Sequence, residues 1–407
     1  MAPDADPEQA LPSHADVPSD LREKVAADFE RFAQKNLPDP VEEYVKRTYG
    51  LDLASDYGGL PVRNPFGKGA GQLSLNARQV RRDAESQLGF VALKSVVAQD
   101  EAGACSMQDW TKTDPRMVVE PIVSAASGKC GWTVTWKGRG WSGSLGDYLA
   151  LVLEAVPAAR AHGTLVVPTC IYPFPAAGET DWSVEEYAYT TRELLRAWRD
   201  GGGRGPVPVE IDLSPTLAGA PRGRDRGAVE AWVSTSPRLV YEAAGEDRSR
   251  LHLGMKVFNA VFDDEFQLRL LELLHAAPAA ERVKFFVYGN RLYDPDKEFR
   301  GTVGVAYGGP DLSDRNLRVL DLWAERGAHT LPRVGTGNIH SGKMAVQYLL
   351  RGCTSFAMHT LFQLPPDEFL MKRGTRTERV LHRLLFDPRD GFIVWMAHLG
   401  RSAVTAA

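Results

Sequence analysis

Short apolar runs alternate with longer amphipathic segments along the chain from about residue 60. Near-continuous apolar runs predict strands buried on both faces of a parallel sheet, and the helical periodicity between them predicts covering helices. Strands are predicted at 61–69, 88–94, 164–168, 207–213, 252–257, 283–288, 331–335 and 354–358. Helices are predicted at 75–87, 144–160, 183–200, 226–244, 263–277, 313–326, 341–352 and 365–386. These alternating units fit an α/β fold of the closed (β/α)₈ TIM-barrel type better than an open doubly wound sheet.

Two helical segments precede the barrel. Residues 19–35 have amphipathic periodicity, and a second helix is predicted to begin at Asp39, with Asp39 as N-cap, Pro40 at the first helical position and Glu42 reaching back. The N-terminal stretch is rich in Ala, Pro and Asp and lacks the basic and apolar regions of a signal peptide, which predicts disorder. The predicted organisation is a disordered tail (1–18), an N-terminal helical extension (19–59), the barrel (60–390) and a C-terminal helix or tail (391–407).

Three of the segments that follow predicted strands are long. Residues 95–143 contain four tryptophans and several glycines, residues 214–226 are basic and rich in Gly and Pro, and residues 289–312 contain the pair Gly308-Gly309. In a TIM barrel the functional site lies where the strands end and such loops begin. Loops of this length are usually functional or mobile, so we expect them to cover the barrel mouth.

Composition and charge narrow the choice of function. The 407 residues carry a formal net charge of -4, which argues against a general affinity for nucleic acid or for anionic membranes. No apolar run approaches the length of a transmembrane helix. The four cysteines are far apart and include no C-x-x-C pair, which disfavours zinc sites, iron–sulfur sites and a disulfide framework. No metal site is therefore predicted, and a reducing cytoplasm is the expected location.

The strongest local motif covers the last two predicted strands. It runs from Val334 to Gly342 (VGTGNIHSG) and, after a helical segment, ends at 356–362 (FAMHTLF). This stretch resembles the last two strands of dihydroorotate dehydrogenases and of the related domain of dihydropyrimidine dehydrogenases. Glycines allow backbone N–H groups to approach a phosphate, and the helix starts add a positive dipole. The resemblance implies that residues 337–338 and 359–360 hold the phosphate of FMN.

Other segments follow the order of that family over residues 60 to about 363. Residues 64–71 (NPFGKGAG) are similar to the family's first strand, whose backbone lies along the flavin, and Lys94 belongs to a segment similar to its second strand. Lys256 matches a lysine that contacts the flavin N1/O2 edge, where reduced flavin accumulates negative charge. The flavin-binding residues that the resemblance implies are Gly69, Ala70, Gly71, Lys94, Ser95, Thr169, Asp212, Lys256, Asn290, Gly308, Gly309, Gly337, Asn338, His359 and Thr360.

The catalytic signature of the family is altered in this chain. After the fourth strand the family has Asn-Leu/Ile-Ser-Cys/Ser-Pro-Asn, whose fourth residue is the base, whereas this chain has Pro215 at that position. Proline has no exchangeable proton, so the usual base is missing. Most of the Asn residues that hold orotate in the family are also absent. The candidate replacements, all near predicted strand ends, are Cys170, Tyr172, Ser214 and Asp212. Cys170 can also be interpreted as a small buried apolar residue, and Asp212 as the partner of a lysine.

The resemblance, with these changes, implies an FMN-dependent oxidoreductase that acts on a C–C bond next to a carbonyl or carboxylate by hydride transfer at the flavin N5. The expected substrate is a small molecule other than dihydroorotate, larger or less polar, as in specialised metabolism. Arg222, Arg224 and Arg226 either clamp its anionic group or are solvated. A separate electron donor or acceptor is expected, and because many cytosolic members of the family are dimers, the resemblance implies a homodimer.

Two other interpretations of the sequence remain open. One is a flavin-free barrel that binds a sugar-phosphate or nucleotide for lyase or isomerase chemistry, with Lys94 and Lys256 as base or Schiff-base residues. The other is a non-catalytic binding protein, because the family base is absent. A protein without visible flavin colour would favour the first interpretation, and a bound flavin that does not turn over would favour the second.

Overall fold

The computed structural model describes residues 10–108, 117–136, 140–175, 178–212, 225–259, 262–299, 302–327 and 330–405. Within these ranges the strands are β1 (Ser55–Tyr57), β2 (Leu60–Val62), β3 (Phe66–Lys68), β4 (Phe90–Ala92), β5 (Val96–Val97), β6 (Met117–Val123), β7 (Cys130–Trp136), β8 (Leu165–Val167), β9 (Thr169–Ile171), β10 (Val207–Asp212), β11 (Leu251–Val257), β12 (Phe285–Tyr288), β13 (Leu292–Phe299), β14 (Thr302–Tyr307), β15 (Arg333–Thr336) and β16 (Cys353–Met358). The α-helices are α1 (Ser19–Gln34), α2 (Val41–Tyr49), α3 (Ala77–Glu85), α4 (Leu145–Arg160), α5 (Val184–Asp200), α6 (Arg226–Ala244), α7 (Asp264–Ala276), α8 (Pro310–Glu325), α9 (Gly342–Leu350), α10 (Arg376–Phe386) and α11 (Phe392–Thr405). Among the described residues, no helix combines the length and apolar character needed to cross a bilayer.

Ten of the strands form one parallel sheet in the order β5-β9-β10-β11-β12-β15-β16-β3-β4-β8. The sheet closes on itself because β8 and β9 are parts of one segment, interrupted only at Pro168, which has no backbone N–H. On one side of this segment Leu93 N donates to the Val167 carbonyl (2.9 Å), and on the other Glu210 N donates to the Pro168 carbonyl (3.0 Å). Because β4 and β5 likewise belong to one segment, the ten strands make eight barrel strands. The predicted (β/α)₈ TIM barrel is confirmed.

The observed boundaries differ from the predicted ones at both ends of the barrel. The run predicted as the first barrel strand, 61–69, is divided between β2 and β3. The last predicted helix, 365–386, begins only at Arg376 and follows two short 3₁₀ turns. Proline at 365 and 366 and Gly374, whose φ is +76°, keep the preceding segment from forming an α-helix. A periodic pattern of polar and apolar residues does not register such breaks.

The two N-terminal helices pack on the barrel near α10 and α11. Helix α1 agrees with its predicted range, but the N-cap prediction for α2 is wrong. The N-cap of α2 is Pro40, which offers no side-chain acceptor, and the free N–H of Val41 donates instead to Gln87 Oε1 at 2.6 Å. The donor at the helix start is thus satisfied by a residue distant in sequence, which local capping rules cannot foresee.

Part of the predicted disordered tail is folded. Leu11 and Ala15 are buried in the main core, and the carbonyl of Ala15 accepts from Arg22 Nη2 at 2.6 Å. Two apolar side chains suffice to fix this stretch because the C-terminal helix α11 provides a surface next to it, as the contact between Asp16 N and His398 Nδ1 indicates (3.1 Å). The prediction of disorder is therefore corrected for residues 10–18, whereas 1–9 lie outside the described ranges.

A hairpin closes the amino-terminal end of the barrel. Strands β1 and β2 pair antiparallel, and Tyr57 at their turn is fully buried. Its ring lies 4.4 Å from that of Phe90 and 5.3 Å from that of Phe285, both near the starts of barrel strands. Gly58, with φ +58°, lies so close to the Phe285 ring that a Cβ would come within 2.2 Å of it. The base of the barrel is therefore filled with aromatic side chains.

Two further hairpins lie over the opposite end, the barrel mouth. One consists of β6 and β7, and the other of β13 and β14. They come from the loops predicted to cover the mouth, but their strand structure is absent from the sequence-based prediction. The first hairpin rests on the start of α8, where Gly308 N donates to Thr133 Oγ1 (2.8 Å) and a Cβ on Gly131 would lie 2.8 Å from Pro310.

Candidate functional site

A cavity of about 460 Å³ lies at the carboxyl ends of the barrel strands, and residues of the two hairpins form part of its wall. A volume of this size is typical of small-molecule and cofactor sites. Most of the predicted flavin-binding residues line it: Gly69, Ala70, Lys94, Asp212, Lys256, Asn290, Gly308, Gly309, Gly337, Asn338, His359 and Thr360. Residues spread over nearly three hundred positions of the chain thus converge on one cavity because parallel strands share their carboxyl ends.

Of the other three predicted residues, Gly71 and Ser95 contact members of the lining, and Thr169 contacts Ser95. Gly71 leaves room for His359, whose Nε2 would lie 2.1 Å from a Cβ at that position. Ser95 donates a hydrogen bond to Asp212 Oδ2. The hydroxyl of Thr169 donates to the Leu93 carbonyl (2.8 Å) and lies 2.9 Å from Ser95 Oγ. Ser95 thus holds the lining side chain of Asp212, and Thr169 contacts Ser95 from behind.

Lys256 and Asp212 form an ion pair at the ends of neighbouring strands. They are register partners in β11 and β10, and Lys256 Nζ lies 2.9 Å from Asp212 Oδ2. Both side chains are almost completely buried. The same Asp212 oxygen accepts from the Ser95 hydroxyl, so the carboxylate is held from two sides and fixes the ammonium at the cavity wall. A cation prepared in this way stabilises negative charge on a ligand without reorganising.

The cavity lining has an excess of positive charge at neutral pH. Lys94, Lys256, Arg291 and Arg383 are the cationic side chains of the lining, and burial lowers the pKa of Arg291 only to about 9. Burial, together with nearby cations, first of all Arg291, lowers the pKa of His359 to about 3, so its imidazole is neutral. Since Asp212 already pairs with Lys256, the cavity favours an anionic ligand.

A tight turn after β15 forms one wall of the cavity. Gly337 has φ +102° and Asn338 has φ +52°, both in the left-handed region. The turn is held from below by Asn316 of α8, whose Nδ2 donates to the carbonyls of Gly289 (2.9 Å) and Thr336 (2.8 Å), and by Tyr348, whose hydroxyl donates to the Gly337 carbonyl (2.8 Å). A glycine turn at the end of a barrel strand allows backbone N–H groups to approach an anion.

The hairpins supply an apolar side to the same cavity. Pro121 of β6, Trp132 and Val134 of β7 and Tyr307 of β14 line it. Among the other tryptophans of the predicted four-tryptophan loop, Trp141 packs edge-on against Tyr148 (5.5 Å), whereas Trp110 lies outside the described residues. The cavity is therefore cationic at the strand ends and apolar beneath the hairpins.

Of the predicted catalytic residues, Asp212 lines the cavity but Cys170 and Tyr172 do not. Successive side chains of a strand point to opposite faces, and Ile171 is the residue of this segment that lines the cavity. Tyr172 accordingly points outward, stacks on Tyr187 of α5 (4.8 Å) and shares a hydrogen bond with Thr191 (2.8 Å). Burial raises the pKa of both Cys170 and Tyr172 well above the ordinary values. The geometry favours their interpretation as core residues.

Most of the basic loop after β10, residues 214–226, lies outside the described residues. Ser214, Pro215, Arg222 and Arg224 lie in the range 213–224, for which no structure is described. Arg226 begins α6, is exposed and pairs with Asp263 at 2.8 Å. This favours the solvated interpretation for Arg226, while the predictions for Ser214, Arg222 and Arg224 remain predictions.

Glu210 is a site residue that the sequence-based prediction does not include. It lies in the middle of β10, lines the cavity and is 1% exposed. The sequence contains a signal for it: a carboxylate two positions before Asp212 in a strand shares its face, and an acidic residue inside an apolar strand is rarely buried without a role. Burial raises the pKa of Glu210 to about 8.

Comparison with protein-family models finds no match for this chain, and comparison with curated proteins finds none either.

The paired glycines of the first barrel loop allow a matched test of the site. A Cβ on Gly71 would lie 2.1 Å from His359, whereas a Cβ on Gly69 would meet its nearest atom only at 3.7 Å. We expect Gly71→Ala to lower the free energy of unfolding by about 1–3 kcal/mol, because a buried side chain must move, and Gly69→Ala to cost less than about 1 kcal/mol. Chemical denaturation measures both, and equal losses would contradict the assigned positions.

Proposed function

We propose that this protein is an FMN-dependent oxidoreductase acting on a small molecule other than dihydroorotate. The observation that carries the proposal is the placement of the buried Lys256–Asp212 pair in the same cavity as the left-handed turn at Gly337 and Asn338. The Lys256–Asp212 pair suits a ring system that accumulates negative charge. The turn at Gly337 and Asn338 suits a phosphate. Their order along the chain agrees with the resemblance to dihydroorotate dehydrogenases.

The residues present are compatible with FMN. The N–H groups of the turn at Gly337 and Asn338, with His359 and Thr360, would hold the phosphate, and the net positive charge of the lining favours an anion there. His359 is neutral, and its Nδ1 lies 2.9 Å from the side-chain amide of Gln363. Lys94 and Lys256 would lie beside the ring.

In this proposal FMN supplies hydride transfer at N5, and the protein supplies binding, orientation and charge compensation. Lys256, fixed by Asp212, would offset negative charge on the bound ring. The apolar surface of Trp132, Val134 and Tyr307 accepts the less polar part of a substrate and excludes water from the cavity. The substrate itself, its electron partner and a homodimeric state belong to the same proposal.

The test is the visible absorption spectrum of the purified protein, followed by release and identification of any bound cofactor. We expect flavin bands and about one FMN per chain, either as purified or after reconstitution. Riboflavin, which lacks the phosphate, is the matched control and should bind at least about tenfold more weakly, because it lacks the anionic group that the turn at Gly337 and Asn338 would hold. A colourless protein that neither flavin reconstitutes would overturn the proposal and favour the flavin-free, phosphate-binding barrel.

A further inference from the structure

Glu210 lies at the floor of the cavity among small and apolar side chains. Its register neighbours are Thr169 on β9 and Gly254 on β11, and the floor is completed by Ala92, Val287 and Ala357. Gly254 contributes no side chain that could bind the carboxyl group. Among the described residues, the fully enclosed Oε1 of Glu210 has no hydrogen-bond partner.

The environment of Glu210 differs from that of the other carboxyl group on β10. Asp212, one layer closer to the mouth, has the Lys256 ammonium and the Ser95 hydroxyl as partners. Glu210 has neither, and burial raises its pKa to about 8, with Asp212 adding to the increase and Lys256 partly opposing it. Of the two acids on one strand face, one is thus paired with a cation and the other is not, an arrangement that separates their roles.

Among the residues that the structure describes, the other groups near the floor do not add a charge beside Glu210. On β9 the neighbours are Thr169, which is uncharged, and Cys170, whose pKa burial raises well above its ordinary value. Lys94, Arg291 and His359 line the cavity from the strand ends at its mouth. Within the described ranges, the charges that act on Glu210 are therefore those of Lys256 and Asp212.

We propose that Glu210 is a neutral carboxylic acid that donates a hydrogen bond to the cavity ligand, so that the site selects an anionic ligand presenting a carbonyl or imine acceptor to the floor. This inference rests on the proposed function in its choice of ligand, since a flavin ring carries such acceptors. A buried donor without a hydrogen-bond partner costs free energy, and this cost is removed when an acceptor of the ligand reaches the donor. A ligand without that acceptor leaves the donor unpaired and therefore binds more weakly. Ligand binding is consequently linked to retention of the Glu210 proton.

The first experiment measures FMN affinity by fluorescence quenching between about pH 6 and 9 in the wild type, Glu210→Gln and Glu210→Leu. The wild-type affinity should be constant below about pH 8 and fall by up to about tenfold per pH unit above it. Glu210→Gln keeps an N–H donor and cannot ionise, so its affinity should stay close to that of the wild type and not change with pH. Glu210→Leu should bind at least about tenfold more weakly at every pH.

The second experiment needs no flavin and therefore separates this inference from the proposed function. Because the folded-state pKa of Glu210 is raised, its stabilising contribution is fully present below the unfolded pKa of about 4.5 and is lost as pH rises towards about 8. The unfolding constant of the wild type, relative to that of Glu210→Gln, should accordingly increase by up to about tenfold per pH unit across that window. Glu246→Gln, an exposed change of the same chemistry, is the control and should show no such trend.

The outcomes are distinguishable. A pH-dependent stability difference without FMN binding would overturn the proposed function and leave Glu210 as a neutral acid in the cavity. FMN binding with identical pH profiles in the wild type and Glu210→Gln would overturn the inference about Glu210 and leave the proposed function standing.

Discussion

Replacing Lys68 with methionine is expected to lower the free energy of unfolding by about 3–5 kcal/mol, because it leaves a carboxylate buried without its cation. Lys68, in the first barrel strand, is 5% exposed and lies 2.6 Å from Asp83 Oδ1 on α3. The same oxygen accepts from Thr377 of α10 at 2.6 Å, so the pair joins three elements. Burial lowers the pKa of Lys68 and raises that of Asp83, and each partner's charge opposes the change.

An exposed pair provides the matched comparison for Lys68→Met. Lys46 and Asp52 also lie 2.6 Å apart, but both side chains are largely in solvent, and Lys46→Met should cost less than about 1 kcal/mol. The deficit of Lys68→Met should shrink as pH falls, because an unpaired Asp83 is protonated in the folded state at a higher pH than in the unfolded state. The double variant Lys68→Met/Asp83→Leu should recover much of the loss, since it removes both charges. Similar losses for Lys68→Met and Lys46→Met in chemical denaturation would refute this account.

Gly337→Ala is expected to cost about 3 kcal/mol or more and to weaken FMN binding at least about tenfold, if FMN is the ligand. The φ of +102° at Gly337 is unfavourable for any residue with a Cβ, and here a Cβ would also lie 2.5 Å from Asn316 Nδ2 and 3.0 Å from the Gly289 carbonyl. Asn316 holds the turn through its hydrogen bonds, so it cannot withdraw without releasing the carbonyls that it binds.

The control for Gly337→Ala is Gly163→Ala. Gly163 has φ +73°, but a Cβ at this position would have no other atom within 4 Å, so alanine there meets only the backbone strain of about 1–2 kcal/mol. Denaturation of both variants isolates the steric part of the effect, and titration with FMN tests the turn as a binding element. Equal losses of stability for both variants, together with unchanged FMN affinity, would show that the turn is not constrained by Asn316.

The barrel could be predicted from the sequence because its strands are buried on both sides and its helices on one, which gives two different periodicities. The hairpins could not. Strands β6 and β7 carry many partly exposed residues, and the first hairpin is held by contacts such as that of Gly131 with Pro310, 179 positions away. A local sequence pattern contains no information on contacts between residues so far apart, so the segment 95–143 is predicted as a loop.

The candidate site was likewise predictable only in part. The lining at strand ends was predictable because parallel strands bring their carboxyl ends together. Which residues of a strand face inward was not, because near-continuous apolar strands conceal the alternation of faces. The prediction therefore placed Cys170 and Tyr172 in the site although Ile171 faces the cavity, and it omitted Glu210 although Glu210 shares a face with Asp212.

The hairpin that closes the base of the barrel has a consequence for the movement of molecules. Ala92, Val287 and Ala357 belong both to the aromatic-rich layer around Tyr57 and to the cavity floor, so a single layer of packed side chains separates the cavity from the base. A molecule that reaches the floor from the mouth must leave by the mouth. Entry and exit of a ligand at the floor are thus both on the side of the two mouth hairpins.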